Sequence, residues 1–408
     1  MNGHRVVITG VGVVSPIGNS LDAVSESLRE DRSGVRIFPR LAGIAQMRTR
    51  VGAPVEVDLS TISKKRTRTM GRVALLSTWA TQQAITDSGL DPELLSSGRL
   101  GLAYGSTGGS TSDEGDFVER IFVRRSLEGI QSKTYLKFMS QTCAANVAQY
   151  FSIRGRVYTT CSGCVSSSQA LGFGFEAVRN GTQDVMICGG AEELDVTPVA
   201  IFDLMFATST RYNDRPSETP RPFDAERDGL VLGEGAGTMV LERYDRARAR
   251  GAKVYAEILG FGTNCDGLHM TAPSEDGLAG AIRLALEDAR LPADRIDYVN
   301  AHATGTDLGD ACESRGTLRV MGDRVPVAST KGFTGHTLGA CGVLESAFCV
   351  AMLRDGFLAP NRNLATVHPD CAPLNYVTGP AREARPRILM NNNAAFAGLN
   401  TSLILGAP

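Results

Sequence analysis

Three short segments hold residues capable of covalent and proton chemistry. In Tyr158–Gly172, YTTCSGCVSSSQALG, Cys164 stands among small residues, directly before a helical pattern that runs to Asn180. A thiol at a helix N-terminus faces unpaired N–H groups and the positive end of the dipole, which favours thiolate. Strand, turn and helix in that order also suit a nucleophile that must accept an acyl group. The second segment, Asn300–Glu313 (NAHATGTDLGDACE), carries His302. The third, Ser329–Gly342 (STKGFTGHTLGACG), carries Lys331 and then His336 ahead of a Gly/Ala-rich helix. His4, His269 and His368 lie outside these segments and read as surface residues. Cys161-Ser-Gly-Cys164 also admits a redox pair or half a metal site. There is no second CxxC at zinc-finger spacing and no thioredoxin-like context, so no metal is expected. Cys161 then reads as a small packing residue at a strand end. Gly10–Gly12 (GVGVVS) lacks the third glycine and the acidic residue of a dinucleotide loop.

Those side chains need a frame. Arg5–Thr9, ending at Gly10, reads as a buried strand. Leu100–Tyr104, Asp184–Cys188, Thr238–Leu241, Val254–Leu259, Asp297–Asn300 and Ile388–Met390 are further strand candidates. Arg72–Ser88, closed by Gly89, has helical spacing, as do Leu278–Ala289 and Val343–Leu353. This alternation predicts an α/β layered fold with mostly buried sheets. An Arg-rich stretch, Tyr244–Lys253, marks the expected boundary between residues 1–250 and 251–408. No duplication and no low-complexity segment is visible in the residues themselves.

At 408 residues the chain can bury a large core. Its formal net charge of −2 argues against a dedicated nucleic-acid binder. No signal peptide is evident near Met1, and no stretch approaches the roughly 18–20 apolar residues that span a bilayer. Nine scattered cysteines suit reduced thiols, so a cytoplasmic location is expected.

The order Cys…His…Lys…His within these segments resembles the β-ketoacyl-acyl-carrier-protein synthases. These are elongating, decarboxylating ketosynthases of the thiolase superfamily. Their nucleophile elbow has a small residue, Cys, two or three small residues and an apolar helix; GGAEE at Gly189–Glu193 also matches. Asn300–Thr306 is similar to the family's Asn-Ala-His-Gly-Thr-x-Thr, and Ser329–Gly342 to its Ser-Thr-Lys…Thr-Gly-His-x-x-Gly-Ala-x-Gly. RYND at Arg211–Asp214, FDAERDG at Phe223–Gly229 and VYAEILGFG at Val254–Gly262 extend the likeness over nearly the whole chain.

The resemblance implies a thiolase-like, five-layered αβαβα fold with two related halves. Residues 1–250 would carry the nucleophile and 251–408 the histidines. It implies that Cys164 takes an acyl chain as a thioester and that malonyl-acyl-carrier protein loses carbon dioxide to give the attacking enolate. His302 and His336 would donate hydrogen bonds to the thioester carbonyl, with Lys331 holding charge nearby and Glu313 as its ionic partner. Thr304 and Thr306 would bind the pantetheine arm, and the backbone N–H of Phe396 would join that of Cys164 as an oxyanion hole. Substrates would ride on the phosphopantetheine of acyl carrier protein, with no other cofactor. The expected partners are that carrier, docked by Lys64, Lys65, Arg68 and Arg124, and a second ketosynthase-like subunit. That subunit would be an identical copy or a chain-length factor, and neither nucleic acid nor membrane is expected.

The chain departs from the family at Ala303 and Asp307, where Gly and Pro are usual. It departs most at Asn391–Thr401, NNNAAFAGLNT, against Asn-Ser-Phe-Gly-Phe-Gly-Gly-Thr-Asn. Aligned on Asn392 and Asn400, Ala394 replaces a Phe, and Ala395 and Ala397 replace glycines. Each methyl restricts φ to the common regions. The expectation is a gate with fewer conformations over a roomier pocket, as in a polyketide or polyene ketosynthase. Two rivals fit less well. A chain-length factor lacks the nucleophile, and a degradative thiolase needs a second Cys near the C-terminus, whereas Cys341 and Cys349 lie on another segment.

Overall fold

Apolar runs become strands that are buried for most of their length in the computed structural model, which describes residues 3–408. Five strands form the first half: β1 (Val6–Val14), β2 (Leu100–Gly105), β3 (Val157–Thr160), β4 (Val185–Glu192) and β5 (Gly235–Arg243). Five more form the second: β6 (Ala256–Cys265), β7 (Tyr298–Asn300), β8 (Pro326–Ala328), β9 (Ile388–Ala395) and β10 (Leu399–Gly406). The first half is ordered β3-β2-β4-β5-β1 and the second β8-β7-β9-β10-β6, the same order displaced by five. The directions repeat as well: β2 runs parallel to β3 and β4, while β5 is antiparallel to β4 and β1. Correspondingly, β7 is parallel to β8 and β9, and β10 is antiparallel to β9 and β6. The halves join where Val6–Ile8 pair antiparallel with Ala256–Ile258. A two-residue strand, Asn375–Tyr376, extends the far edge beside β8.

Helices make the other layers. α1 (Arg72–Ser88) and α2 (Thr142–Phe151) cover one sheet from outside. α3 (Ser166–Arg179) runs between the sheets and α4 (Val196–Leu204) lies near the surface. α5 (Glu275–Ala289) and α6 (Asp307–Met321) cover the second sheet, while α7 (Cys341–Asp355) packs on α3 in the centre. Twelve of the fifteen α7 residues are buried, which only a helix covered on all sides achieves. The main apolar core therefore joins α3, α7 and strands from both sheets. This is the αβαβα layering of the thiolase-like fold.

β1 runs past the expected stop at Gly10 to Val14, with a register shift between Ile8 and Gly10. The two glycines serve packing: a Cβ on Gly10 would lie 2.2 Å from Ala84 O, and on Gly12 1.9 Å from Ala80 O. They let α1 press onto the strand, and no phosphate loop is formed. α1 itself spans Arg72–Ser88 and ends on left-handed Gly89. The Arg-rich stretch forms a short helix, Tyr244–Ala249, and Arg250 reaches back to buried Glu242 at 2.7 Å.

Candidate active site

Cys164 and His336 occupy corresponding corners of the two halves, each between the third strand of its half and the central helix that follows. After β3, Cys161 and Ser162 lead into a tight turn, Gly163–Val165, that feeds α3. Gly163 has φ 59°, and Ser166 Oγ secures the turn by accepting from Ser162 N–H at 2.9 Å. Cys164 is half-buried beside Leu41, Leu194, Leu230, Leu232 and Leu338. Burial pushes its thiol up to about 12, with Lys331 pulling the other way. Burial thus favours the neutral thiol, against the thiolate that a helix N-terminus favours.

His336 Nε2 lies 3.0 Å from Cys164 Sγ. Its backbone is clamped, N–H to Val231 O at 2.7 Å and carbonyl to Gly233 N–H at 2.9 Å. His302 follows β7, and its ring stands perpendicular to that of His336 with centroids 5.0 Å apart. One ligand-capable atom from each of Cys164, His302 and His336 falls within 4.8 Å of the others. Burial, reinforced by the Lys331 charge, holds both imidazoles well below their ordinary value, so both are neutral near pH 7. With Nε2 unprotonated, the thiol S–H is placed to donate to it. Neither Nδ1 has a protein partner among the described residues.

Lys331 is fully buried, and its ammonium pairs with Glu345 on α7 rather than with Glu313. Glu313 instead accepts the backbone N–H of His302 at 2.7 Å, and burial pushes its carboxyl up to about 8. The expected Lys331–Glu313 ion pair is therefore corrected. Glu345 had one signal in the sequence, a lone acid inside the apolar run VLESAFCV. Two further acids within the singled-out segments shape the site. Glu192 accepts Thr107 N–H at 2.8 Å and Gly339 N–H at 3.0 Å, tying the β4 end to the His336 segment. Asp310 accepts N–H groups from Phe223, Thr304 and Gly305 at 2.7–3.1 Å, shaping the loop after His302.

A cavity of about 360 Å³ connects these groups with the surface. Cys164, His302 and His336 line its inner end; Thr304 and Thr306 line its wall, their hydroxyls 3.1 Å apart. Arg227, from FDAERDG, donates to the carbonyls of Thr306 and Asp307. Phe396 is 42% exposed, stacked 5.7 Å from Phe202 of α4, and also lines the cavity with Ala394, Ala395 and Ala397. Ala397 adopts φ 63°, so alanine here does not stay in the common regions. Its N–H donates to Met270 O at 2.7 Å, which helps hold the left-handed residue.

Cys161 is exposed, not packed, and its thiol donates to Ser140 O at 2.8 Å. Buried Cys341 points its thiol at the Cys164 carbonyl, 3.1 Å away. Lys64, Lys65 and Arg68 are exposed and make no salt bridge among the described residues, whereas Arg124 pairs with Glu119 at 3.0 Å.

Comparison with known proteins agrees with this geometry. The family model for the β-ketoacyl synthase N-terminal domain matches residues 3–247, and that for the C-terminal domain residues 255–365. The 3-oxoacyl-[acyl-carrier-protein] synthase 1 of Escherichia coli is 38% identical, with 98% of each chain covered. A β-ketoacyl synthase from Burkholderia phymatum is 46% identical at a TM-score of 0.96, covering 99% of this chain and 100% of that one. A chain of the ishigamide ketosynthase/chain length factor is 32% identical at a TM-score of 0.93, with both chains covered completely. The chain belongs to the β-ketoacyl synthase family.

Proposed function

We propose that the protein elongates an acyl chain by decarboxylative Claisen condensation with malonyl-acyl-carrier protein, in type II fatty-acid or polyketide synthesis. The supporting observation is the 3.0 Å approach of His336 Nε2 to Cys164 Sγ beside His302, at the inner end of a cavity open to solvent. In loading, the Cys164 S–H proton passes to His336 Nε2 as sulfur attacks the acyl thioester. The carrier's C–S bond breaks and that proton leaves on the pantetheine sulfur. Malonyl thioester then binds with its carbonyl near the two imidazoles. Loss of carbon dioxide leaves an enolate, which neutral N–H donors stabilise where its charge develops; one such donor is worth about 2.7–4 kcal/mol. The enolate carbon attacks the acyl carbon, the Cys164–acyl bond breaks, and the thiolate takes up a proton from solvent. With no protein group fixing Nδ1, His336 can accept a proton in loading and donate in condensation.

Glu345 holds Lys331, whose charge favours neutral imidazoles; Glu313 fixes the His302 backbone. Thr304 and Thr306 hold the pantetheine arm, and Phe396 with Cys164 supplies the oxyanion N–H groups. Residues 1–250 bring the nucleophile and residues 251–408 the histidines. The reaction as written needs no bound cofactor. The carrier docks on Lys64, Lys65 and Arg68, with Arg124 as an auxiliary contact. β3 is an edge strand with Val157 exposed, and Phe122, Val123, Leu127 and Tyr135 are exposed nearby in sequence. A second ketosynthase-like subunit, identical or of the chain-length-factor kind, would cover that edge.

The test is acylation and condensation with acyl- and malonyl-carrier substrates, read by mass spectrometry of intact protein and product. Cys164→Ala is expected to abolish both steps, while Cys161→Ala keeps them. Loading at Cys161, or loading that persists without Cys164, overturns the assignment.

A further inference from the structure

Behind the nucleophile lies a buried polar chain that the reaction steps above do not use. Asn393, on β9 just before Ala394 and the gate, is 1% exposed. Its Nδ2 donates to Glu345 Oε2 at 2.6 Å, and Glu345 Oε1 takes the Lys331 ammonium. Ser168 Oγ, on α3 four residues beyond Cys164, donates to Asn393 Oδ1 at 2.8 Å and fixes which way the amide points. Asn393 Nδ2 is also 3.6 Å from the Cys341 sulfur, whose thiol donates to the Cys164 carbonyl. The five side chains come from four elements, Glu345 and Cys341 both from α7, and the amide is where they meet. The family segment aligned above carries Ser at this place, a shorter side chain.

We propose that Asn393 is a positioning residue: its amide holds the Glu345 carboxylate against Lys331, and so sets the charge felt by Cys164, His302 and His336. Burial pushes the Glu345 carboxyl upward, and Lys331 and the Asn393 donor both act against it. Without the donor, Glu345 keeps a proton to higher pH and Lys331 loses its counterion in a dry site, where an unpaired charge is costly. The Lys331 charge then fades, and with it the pull that lowers the Cys164 thiol. Other titratable groups that face this pair are Glu313, Cys341, Cys349 and Tyr298, each on a neighbouring element or on α7 itself.

The inference rests on the ketosynthase reading for its rate measurements but not for its thiol chemistry. The experiment compares Asn393→Ala and Asn393→Asp, with Ser168→Ala as a milder variant, all checked for native circular dichroism. Condensation kinetics are measured alongside the pH profile of iodoacetamide alkylation at Cys164, resolved from other thiols by peptide mass spectrometry. Asn393→Ala is expected to lower kcat about tenfold with KM nearly unchanged, the size of a lost hydrogen bond to a charged group. The alkylation profile should move about one pH unit upward. Asn393→Asp keeps the shape but sets two carboxyl groups 2.6 Å apart, so it should be worse than Ala. Ser168→Ala should shift the profile in the same direction by less. A packing role predicts the reverse order, with isosteric Asp milder than Ala; that order, or profiles that superimpose on the unaltered protein, overturns the proposal. If no condensation is seen in any form, the alkylation arm still decides it.

Discussion

Glu313 is a carboxyl group shut away from water that nevertheless accepts the His302 N–H. Its folded value of about 8 lies well above its ordinary 4.5, and the cause is burial. The unfolded chain therefore releases this proton above about pH 4.5, whereas the folded protein keeps it until about pH 8. Folding binds a proton throughout that window, so stability falls as pH rises through it and levels off above. One proton corresponds to a slope of about 1.4 kcal/mol per pH unit. Denaturant titrations between pH 5 and 8 should show Glu313→Gln with a shallower fall than the unaltered protein. Glu192, pushed up to about 7, and Asp310, pushed up to about 6, both by burial, add slope of the same sign, while the depressed imidazoles of His302 and His336 oppose it below their ordinary value. An unchanged slope in Glu313→Gln would mean that Glu313 is ionised in the folded protein. Nucleophilicity of Cys164 is governed by the same physics, because burial favours its neutral thiol and a base must take the proton as sulfur attacks.

The gate is an element-scale matter. β9 enters it and β10 leaves it, paired in register from Ile388–Gly406 to Ala395–Leu399, so the turn Phe396–Gly398 is pinned at both ends. At Ala397 the left-handed backbone costs a non-glycine residue about 1–2 kcal/mol. The bonds to Met270 O and from Cys265 Sγ hold it there. Ala397→Gly removes that cost but frees the unfolded chain, so the net change in stability should be under about 1 kcal/mol. Faster hydrogen exchange across residues 394–400 would report a looser turn. Ala394 lines the cavity and is half-buried, leaving room that a Phe would fill. Ala394→Phe should slow loading of long acyl chains on Cys164 more than loading of acetyl or hexanoyl. An unchanged chain-length profile would show that this departure does not set specificity.

Over the whole molecule, net charge is close to zero, and what matters for a carrier is where cations stand free. Lys64, Lys65 and Arg68 are exposed and without salt bridges among the described residues, while Arg124 is already engaged by Glu119. Charge reversal at Lys64, Lys65 and Arg68 together should raise KM for carrier-bound substrate severalfold. It should also flatten the salt dependence, because exposed pairs are individually weak and screened. A small thioester mimic should be turned over as before; equal effects on both substrates would place docking elsewhere. Arg124→Glu alone should matter less, since its charge is locally neutralised.

The three reactive segments were legible in the chain itself, because small residues before a helix, and histidines in loops rich in Gly and Thr, are local patterns. α1 was legible to the residue for the same reason: its apolar period and its terminating Gly89 are local. Most expected strands run beyond their expected bounds, β7 is one residue shorter, and β8 and β10 carried no strand signal. β1 continues through two glycines that tertiary packing requires and propensity disfavours. The duplication was illegible, since two sequences can diverge while keeping strand order, and only pairing reveals that β3-β2-β4-β5-β1 recurs. Pairing of charges was equally hidden. Glu313 and Glu345 are both available to Lys331 in the chain, and only the folded structure shows that Glu345 pairs with it. Only half of the balance at Cys164 was legible, because a helix N-terminus is visible in sequence, whereas the apolar shell of Leu41, Leu194, Leu230, Leu232 and Leu338 is gathered from distant segments. Residue types and local order were set by the sequence; which charges meet, and how dry they are, was decided by the tertiary structure, because desolvation depends on neighbours that only folding assembles.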